Sequence, residues 1–213
     1  MSRYALVCGL AAAVLVCCGQ PGPPAVDPST LMDPTAAHLN QTAPDKFRAQ
    51  FKTSSGVFVV EITRAWSPVG ADRFYSLVKS GYFDQQRFFR VMPDFIVQWG
   101  MHANPEVTAK WENAKIEDDP RKETNRRGTI TYATSGPNTR TTQLFINLAD
   151  NGRLDDQGFT PIGEVVEGMS VVDAINPEYG EKPSQQKIGQ RGNNYLKKIF
   201  PNLTYIETAQ IVE

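Results

Sequence analysis

The chain predicts a mainly β fold, a barrel or a sandwich, on three observations drawn from its 213 residues. Many short runs of β-branched and aromatic residues recur between Gly, Pro, Asn and Asp, stretches with helical spacing of apolar residues are few, and no segment repeats. With 40% apolar residues the chain can bury one good core and is too short for two comfortable domains.

The amino-terminal elements come first. Arg3 precedes an apolar run from Tyr4 to Val16, which is shorter than the about 20 residues that span a bilayer, so residues 1–18 are expected to be a secretory signal peptide. The ending Leu15-Val16-Cys17-Cys18-Gly19 resembles a bacterial lipoprotein processing site and makes Cys18 the expected lipidation site. Cys17 stands where a small residue is usual, and ordinary cleavage without lipid is the alternative. The expected location is therefore outside the cytoplasm, in the periplasm or cell envelope, with membrane attachment through lipidated Cys18. Residues 19–44 are rich in Pro, Gly, Ala, Ser and Thr and read as a flexible linker, leaving 45–213 as the folded domain.

Within that domain, alternation over 47–52 and 57–62 around Ser54-Ser55-Gly56 predicts a hairpin. Ser67-Pro68 opens a helix in which Ala71, Phe74, Tyr75 and Val78 share a face, and Gly81 stops it. This helix is expected to plug an apolar opening. Short strands follow at 88–91, 95–98, 129–133, 143–147 and 161–166. Gly136-Pro137-Asn138 marks the turn between the third and fourth of these. A helix over 169–175, a polar loop over 176–192, a short helix over 193–200 ended by Pro201, and an alternating strand over 205–212 complete the chain.

Composition removes several function classes. A net charge of −1 argues against a nucleic-acid partner, which would call for a basic surface. All three cysteines lie at positions 8, 17 and 18, so the domain has neither disulfides nor a cysteine nucleophile. With only His38 and His102, no histidine metal cluster and no histidine-dependent triad can be assembled.

What remains is a set without nucleophile, paired general base or metal ligands: Arg90, Phe95, Gln98, Phe145 and Leu154. A reaction needing none of those is rotation about the peptide bond before proline, whose barrier of about 18–20 kcal/mol comes from amide resonance. An apolar pocket can hold the pyrrolidine ring. A guanidinium can bond the nitrogen lone pair once the amide twists, an interaction made mainly in the transition state. Bringing tens of seconds to milliseconds requires about a 10⁴-fold gain, or about 5.5 kcal/mol, within reach of one charge-assisted hydrogen bond and a selected twisted ground state.

Two motifs carry a resemblance. The pattern F-x-R-[VI]-x-x-x-F-[MI]-[VI]-Q is matched by Phe88, Arg90, Val91, Phe95, Ile96, Val97 and Gln98, and G-P-N-T-x-x-x-Q-F-F-I by Gly136 to Thr139, Gln143, Phe145 and Ile146. In these the chain resembles the cyclophilin-type peptidyl-prolyl cis-trans isomerases, over nearly all of 45–213. The resemblance implies a closed eight-stranded antiparallel β-barrel capped by two α-helices. It implies catalysis by Arg90, oriented by Gln98, and a proline pocket of Phe95, Ile96, Phe145 and Leu154. Ala133 and Thr134 would offer a wall and backbone partners for an extended peptide, Gln143 would contact the substrate further along, and Phe159 would cover the pocket where many members carry histidine.

No cofactor and no metal are implied. The implied partners are proline-containing polypeptides among exported proteins, met by a monomer. Three departures bear on specificity. Arg153 stands where members that bind cyclosporin tightly carry tryptophan, which implies weak inhibition, while Trp99 and Arg140 are expected to place an indole and an extra cation near the groove. A non-catalytic proline-peptide-binding or assembly module of the envelope is the alternative to an enzyme. The presence of both Arg90 and Gln98 favours the enzyme.

Overall fold

The computed structural model describes residues 27–212; the expected signal peptide, Cys18 and the first part of the expected linker lie outside them. Eight strands form one antiparallel sheet: β1 (Lys46–Thr53), β2 (Gly56–Thr63), β3 (Arg90–Met92), β4 (Ile96–Trp99), β5 (Thr129–Tyr132), β6 (Leu144–Asn147), β7 (Pro161–Glu167) and β8 (Ile206–Val212). Their order is β3-β4-β6-β5-β7-β2-β1-β8. The end strands β3 and β8 do not pair directly. The segments just before them do, through an antiparallel bridge between Arg87 and Tyr205 and hydrogen bonds from Phe88 N to Thr204 O (3.1 Å) and Ile206 N to Gln86 O (2.8 Å). The sheet thus curls until its edges meet.

Strand periodicity divides the side chains between two faces. Phe51, Phe58, Val91, Val97, Trp99, Ile130, Tyr132, Leu144 and Ile146 point inward and share one core. Phe51 and Phe58, directly opposite in the β1–β2 register, stack with ring centroids 5.0 Å apart. Gly163 on β7 allows the curl, because a Cβ there would run into the carbonyl of Glu61 and the Cα of Ile62 on β2.

Among the described residues four α-helices accompany the barrel. Helix α1 (Pro68–Lys79) runs close to the predicted span and buries Ala71, Phe74, Leu77 and Val78 against the core. Its N-terminus is capped from outside: the Asp119 carboxylate accepts the N–H groups of Val69 and Gly70, each at 3.0 Å, and the Ser67 hydroxyl at 2.5 Å. Burial pushes the Asp119 carboxyl up, but bonds from Ser67, Val69, Gly70 and Arg140 outweigh it and hold the group below the usual range. Helix α2 (Pro105–Trp111) was not anticipated. Helix α3 (Met169–Asp173) was. Helix α4 (Gln185–Ile199) begins eight residues before the expected 193 and bends at Gly192, so the polar loop is confined to 174–184.

The linker expectation fails over its described part. Residues 28–31 and 37–39 form 3₁₀ turns, and Leu31 (1% exposed), Leu39 (0%) and Ala43 (6%) are buried in the core. The Trp111 indole N–H donates to Leu31 O at 2.8 Å, Gln41 N to Ser76 Oγ at 2.9 Å and Ala43 N to Asp72 Oδ1 at 2.8 Å. Three apolar anchors spaced through a polar segment suffice to strap it across α1 and α2. The folded body therefore extends back at least to residue 27.

Candidate active site

The register of four strands sets the site. Arg90 on β3 lies opposite Gln98 on β4, Gln98 opposite Phe145 on β6, and Phe145 opposite Thr131 on β5. Paired residues in an antiparallel ladder put their side chains on the same face, here the outer one, since Val91, Val97, Ile146 and Ile130 beside them face the core. The row lies under a groove of about 520 Å³, into which all ten predicted side chains reach: Arg90, Phe95, Ile96, Gln98, Ala133, Thr134, Gln143, Phe145, Leu154 and Phe159.

One end of the groove is apolar. Ile96, Phe145 and Leu154 form a buried floor against which Phe95, Ala133 and Phe159 pack. The Phe159 ring stands edge-on to Phe145 at 5.7 Å. Arg90 borders this floor with its guanidinium carbon 5.8 Å from the Phe95 ring centre, and Arg153 covers the same ring at 4.7 Å.

The other end is polar. Arg90 Nη1 donates to Gln98 Oε1 at 3.4 Å, Gln98 Nε2 to Gln143 Oε1 at 2.9 Å, and Gln143 Nε2 to Gln185 Oε1 at 3.2 Å. A chain of amides thus links Arg90 to the first turn of α4. Gly100, just past β4, has φ +113°, and a Cβ there would strike the backbone of Thr142 and Gln143. Glycine lets the Gln143 strand approach closely enough for that chain of amides to form.

The apolar end depends on residues that sequence reasoning missed. Asn125 Nδ2 donates to Asp155 Oδ1 and to the Phe159 carbonyl, both at 2.8 Å, while its Oδ1 accepts the Thr131 hydroxyl at 2.8 Å. Asn151 Nδ2 donates to the Phe95 carbonyl at 2.9 Å. Together they tie the segment bearing Leu154 and Phe159 to the sheet. Burial tends to raise the Asp155 carboxyl; bonds from Thr124 and Asn125 and the nearby charge of Arg121 bring it below its ordinary value. Glu181 is a further unanticipated neighbour, with Oε2 3.1 Å from both Nε and Nη2 of Arg90. No local pattern marks these residues; their partners lie up to 91 positions away along the chain.

Two expectations about the groove are corrected. Trp99 is fully buried on the inner face, packed edge-on to Phe51 and Phe88, because it falls on the core side of the strand alternation. Arg140 is only 2% exposed and pairs with Asp119 at 2.9 Å, so it braces the α1 cap and adds no cation to the groove.

Comparison with known proteins gives the chain a family and a fold likeness. Residues 48–191 match the family described as cyclophilin type peptidyl-prolyl cis-trans isomerase/CLD. A peptidyl-prolyl cis-trans isomerase of Acinetobacter baylyi is 36% identical over 132 residues, covering 59% of this chain and 70% of that protein. Peptidyl-prolyl cis-trans isomerase A of Dickeya dadantii is 36% identical over 167 residues, covering 76% and 82%. The crystal structure of a Cryptosporidium parvum cyclophilin type peptidyl-prolyl cis-trans isomerase superposes with a TM-score of 0.59 at 22% identity, over 79% of this chain and 98% of that one, a likeness of fold. With the family match spanning most of the described chain and the paired motifs gathered on one groove, the protein belongs to the cyclophilin-type peptidyl-prolyl cis-trans isomerases.

Proposed function

We propose that the groove binds an extended Xaa-Pro segment and accelerates rotation about its prolyl bond by a proline pocket and an arginine hydrogen bond, with no covalent intermediate. The observation that carries this is the position of Arg90: a guanidinium at the rim of an apolar floor, its Nη1 held by Gln98 from the opposite strand position. In this reading Ile96, Phe145 and Leu154 receive the pyrrolidine ring, with Phe95 and Phe159 at its margins. Stripping water from the ring's surroundings strengthens any charge-assisted bond made there.

As the amide twists, resonance is lost and the lone pair localises on the prolyl nitrogen. Arg90 donates to that lone pair, which the planar ground state does not offer, so the bond lowers the barrier without holding the substrate down. Gln98 orients Arg90. Ala133 and Thr134, just past the end of β5, bring a wall and backbone groups to the peptide, and Gln143 meets it further along. A related Cryptosporidium parvum cyclophilin was crystallised in the presence of the dipeptide Ala-Pro, a ligand of this chemistry.

The protein acts, we infer, as a monomer on exported polypeptides, anchored through Cys18. The eight residues 19–26 between Cys18 and the strapped body reach at most about 28 Å when extended, which would keep the groove close to the membrane. Mass spectrometry of the mature amino terminus checks this: a lipidated Cys18 is expected, and an unmodified terminus at another residue refutes the anchor.

For the chemistry, isomerisation of a short Xaa-Pro peptide by the mature chain is compared with that of Arg90→Ala. The variant should lose about 10²–10³-fold in kcat/KM, the scale of removing one transition-state donor. Equal, background-level rates for both would leave a non-catalytic binding module as the function.

A further inference from the structure

We propose that Glu181 is a positioning residue for Arg90, delivered by the 174–184 loop, that presets the guanidinium before a prolyl peptide arrives. The inference rests on the isomerase reading above and adds to it a residue from outside both groove motifs. Arg90 lies on an end strand of the sheet, where a long side chain 29% exposed has little to fix its rotamers. Gln98 engages a single nitrogen, at 3.4 Å. Glu181 takes the opposite edge of the fork, with Oε2 3.1 Å from both Nε and Nη2. The planar group is thereby held at both ends, with the remaining Nη protons left for a ligand.

The loop that carries Glu181 is itself fixed. Val91 N–H, beside Arg90, donates to Gly180 O at 3.0 Å, so the loop occupies the open edge of β3. Asn176 Nδ2 donates to Asn202 O at 2.9 Å, Asn202 Nδ2 donates to Glu178 Oε2 at 3.0 Å, and the Tyr179 ring meets Phe200 edge-on at 5.1 Å. Its carboxylate is therefore brought to Arg90 by backbone geometry. The Glu181 side chain, 62% exposed, contributes little to packing and can be replaced without disturbing the fold.

Arginine carries a large rotamer entropy, and a group ordered in advance loses less of it when the substrate bond forms. Because that bond belongs to the twisted state, the effect should fall on kcat more than on KM. Steady-state kinetics with the Xaa-Pro peptide are measured for the mature wild-type chain, Glu181→Ala and Glu181→Gln. Glu181→Ala should lose about fivefold in kcat with KM nearly unchanged, the upper range for a half-exposed ion pair. Glu181→Gln keeps an acceptor for Nε and should recover most of that loss.

Equal kcat for wild type and Glu181→Ala overturns the proposal. So does a rise in kcat for Glu181→Ala, which would make Glu181 an inhibitor, or a Glu181→Gln as slow as Glu181→Ala, which would make its charge the cause. The Arg90 Nε–H resonance separates this inference from the isomerase reading, since it needs no turnover. It should be sharp and protected in the wild type and exchange-broadened in Glu181→Ala, and identical signals in both overturn the contact even if the peptide is never isomerised.

Discussion

Asn125 is fully buried, and its whole amide is used beside the groove without reaching into it. Two donors go to Asp155 and the Phe159 carbonyl, and the oxygen serves Thr131 at 2.8 Å and Asn147 at 3.3 Å. Asn125→Ala removes bonds to Asp155, the Phe159 carbonyl, Asn147 and the fully buried Thr131 hydroxyl, and one buried group left unsatisfied costs about 1–3 kcal/mol. Urea unfolding should register a loss of at least that size. Because Leu154 and Phe159 hang on this tie, KM for an Xaa-Pro peptide should rise more than kcat falls; an unchanged KM would detach the loop from the pocket. The sequence made the groove's own lining legible, because Arg90, Gln98 and Phe145 sit at fixed offsets in short motifs. Asn125 stayed invisible because its meaning lies in partners 6 to 34 residues away.

Among elements, all eight strands lie within two residues of where alternation and turn residues put them. Each is short, β-branched or aromatic, and closed by a turn former, so local chemistry and tertiary demand agree. The misses share an opposite cause. The first half of α4, Gln185-Gln-Lys-Ile-Gly-Gln-Arg-Gly192, has two glycines and one apolar residue, and it is helical because Ile188 docks beside Tyr195, Leu196 and Phe200. The 27–44 strap likewise looks disordered by composition, yet Leu31, Leu39 and Ala43 bury it. Leu31→Ala should therefore destabilise the protein by about 2–5 kcal/mol, the cost of a core leucine, with Trp111 fluorescence shifted to the red as water reaches the indole. A change below about 0.5 kcal/mol, usual for surface positions, would mean the strap only rests on the body. Trimming the chain to residue 45 should be more damaging still, since it removes all three anchors at once.

For the molecule as a whole, acid is the informative stress, and His102 gives it a defined window. The imidazole is 7% exposed beside Tyr82, its Nδ1 accepts the Asn104 N–H at 3.0 Å, and burial pushes its pKa down to about 4 from an ordinary 6.5. Above pH 6.5 the ring is neutral folded and unfolded, and it contributes nothing to the pH dependence. Between about 6.5 and 4 the unfolded chain takes up the proton and the folded one does not, so falling pH favours unfolding, by about 3 kcal/mol once pH 4 is reached. Asp119 and Asp155, held low in the folded state, also lose stability as pH falls, whereas Asp84, raised by burial, acts in the opposite sense. These carboxylates are common to wild type and His102→Gln and cancel in the difference between them. Urea midpoints at pH 7, 5.5 and 4 should therefore show the wild-type stability, relative to His102→Gln, falling by about 3 kcal/mol across that range. Parallel pH curves would mean that the ring takes up its proton in the folded state, and that the buried end of the barrel near α2 admits a charge.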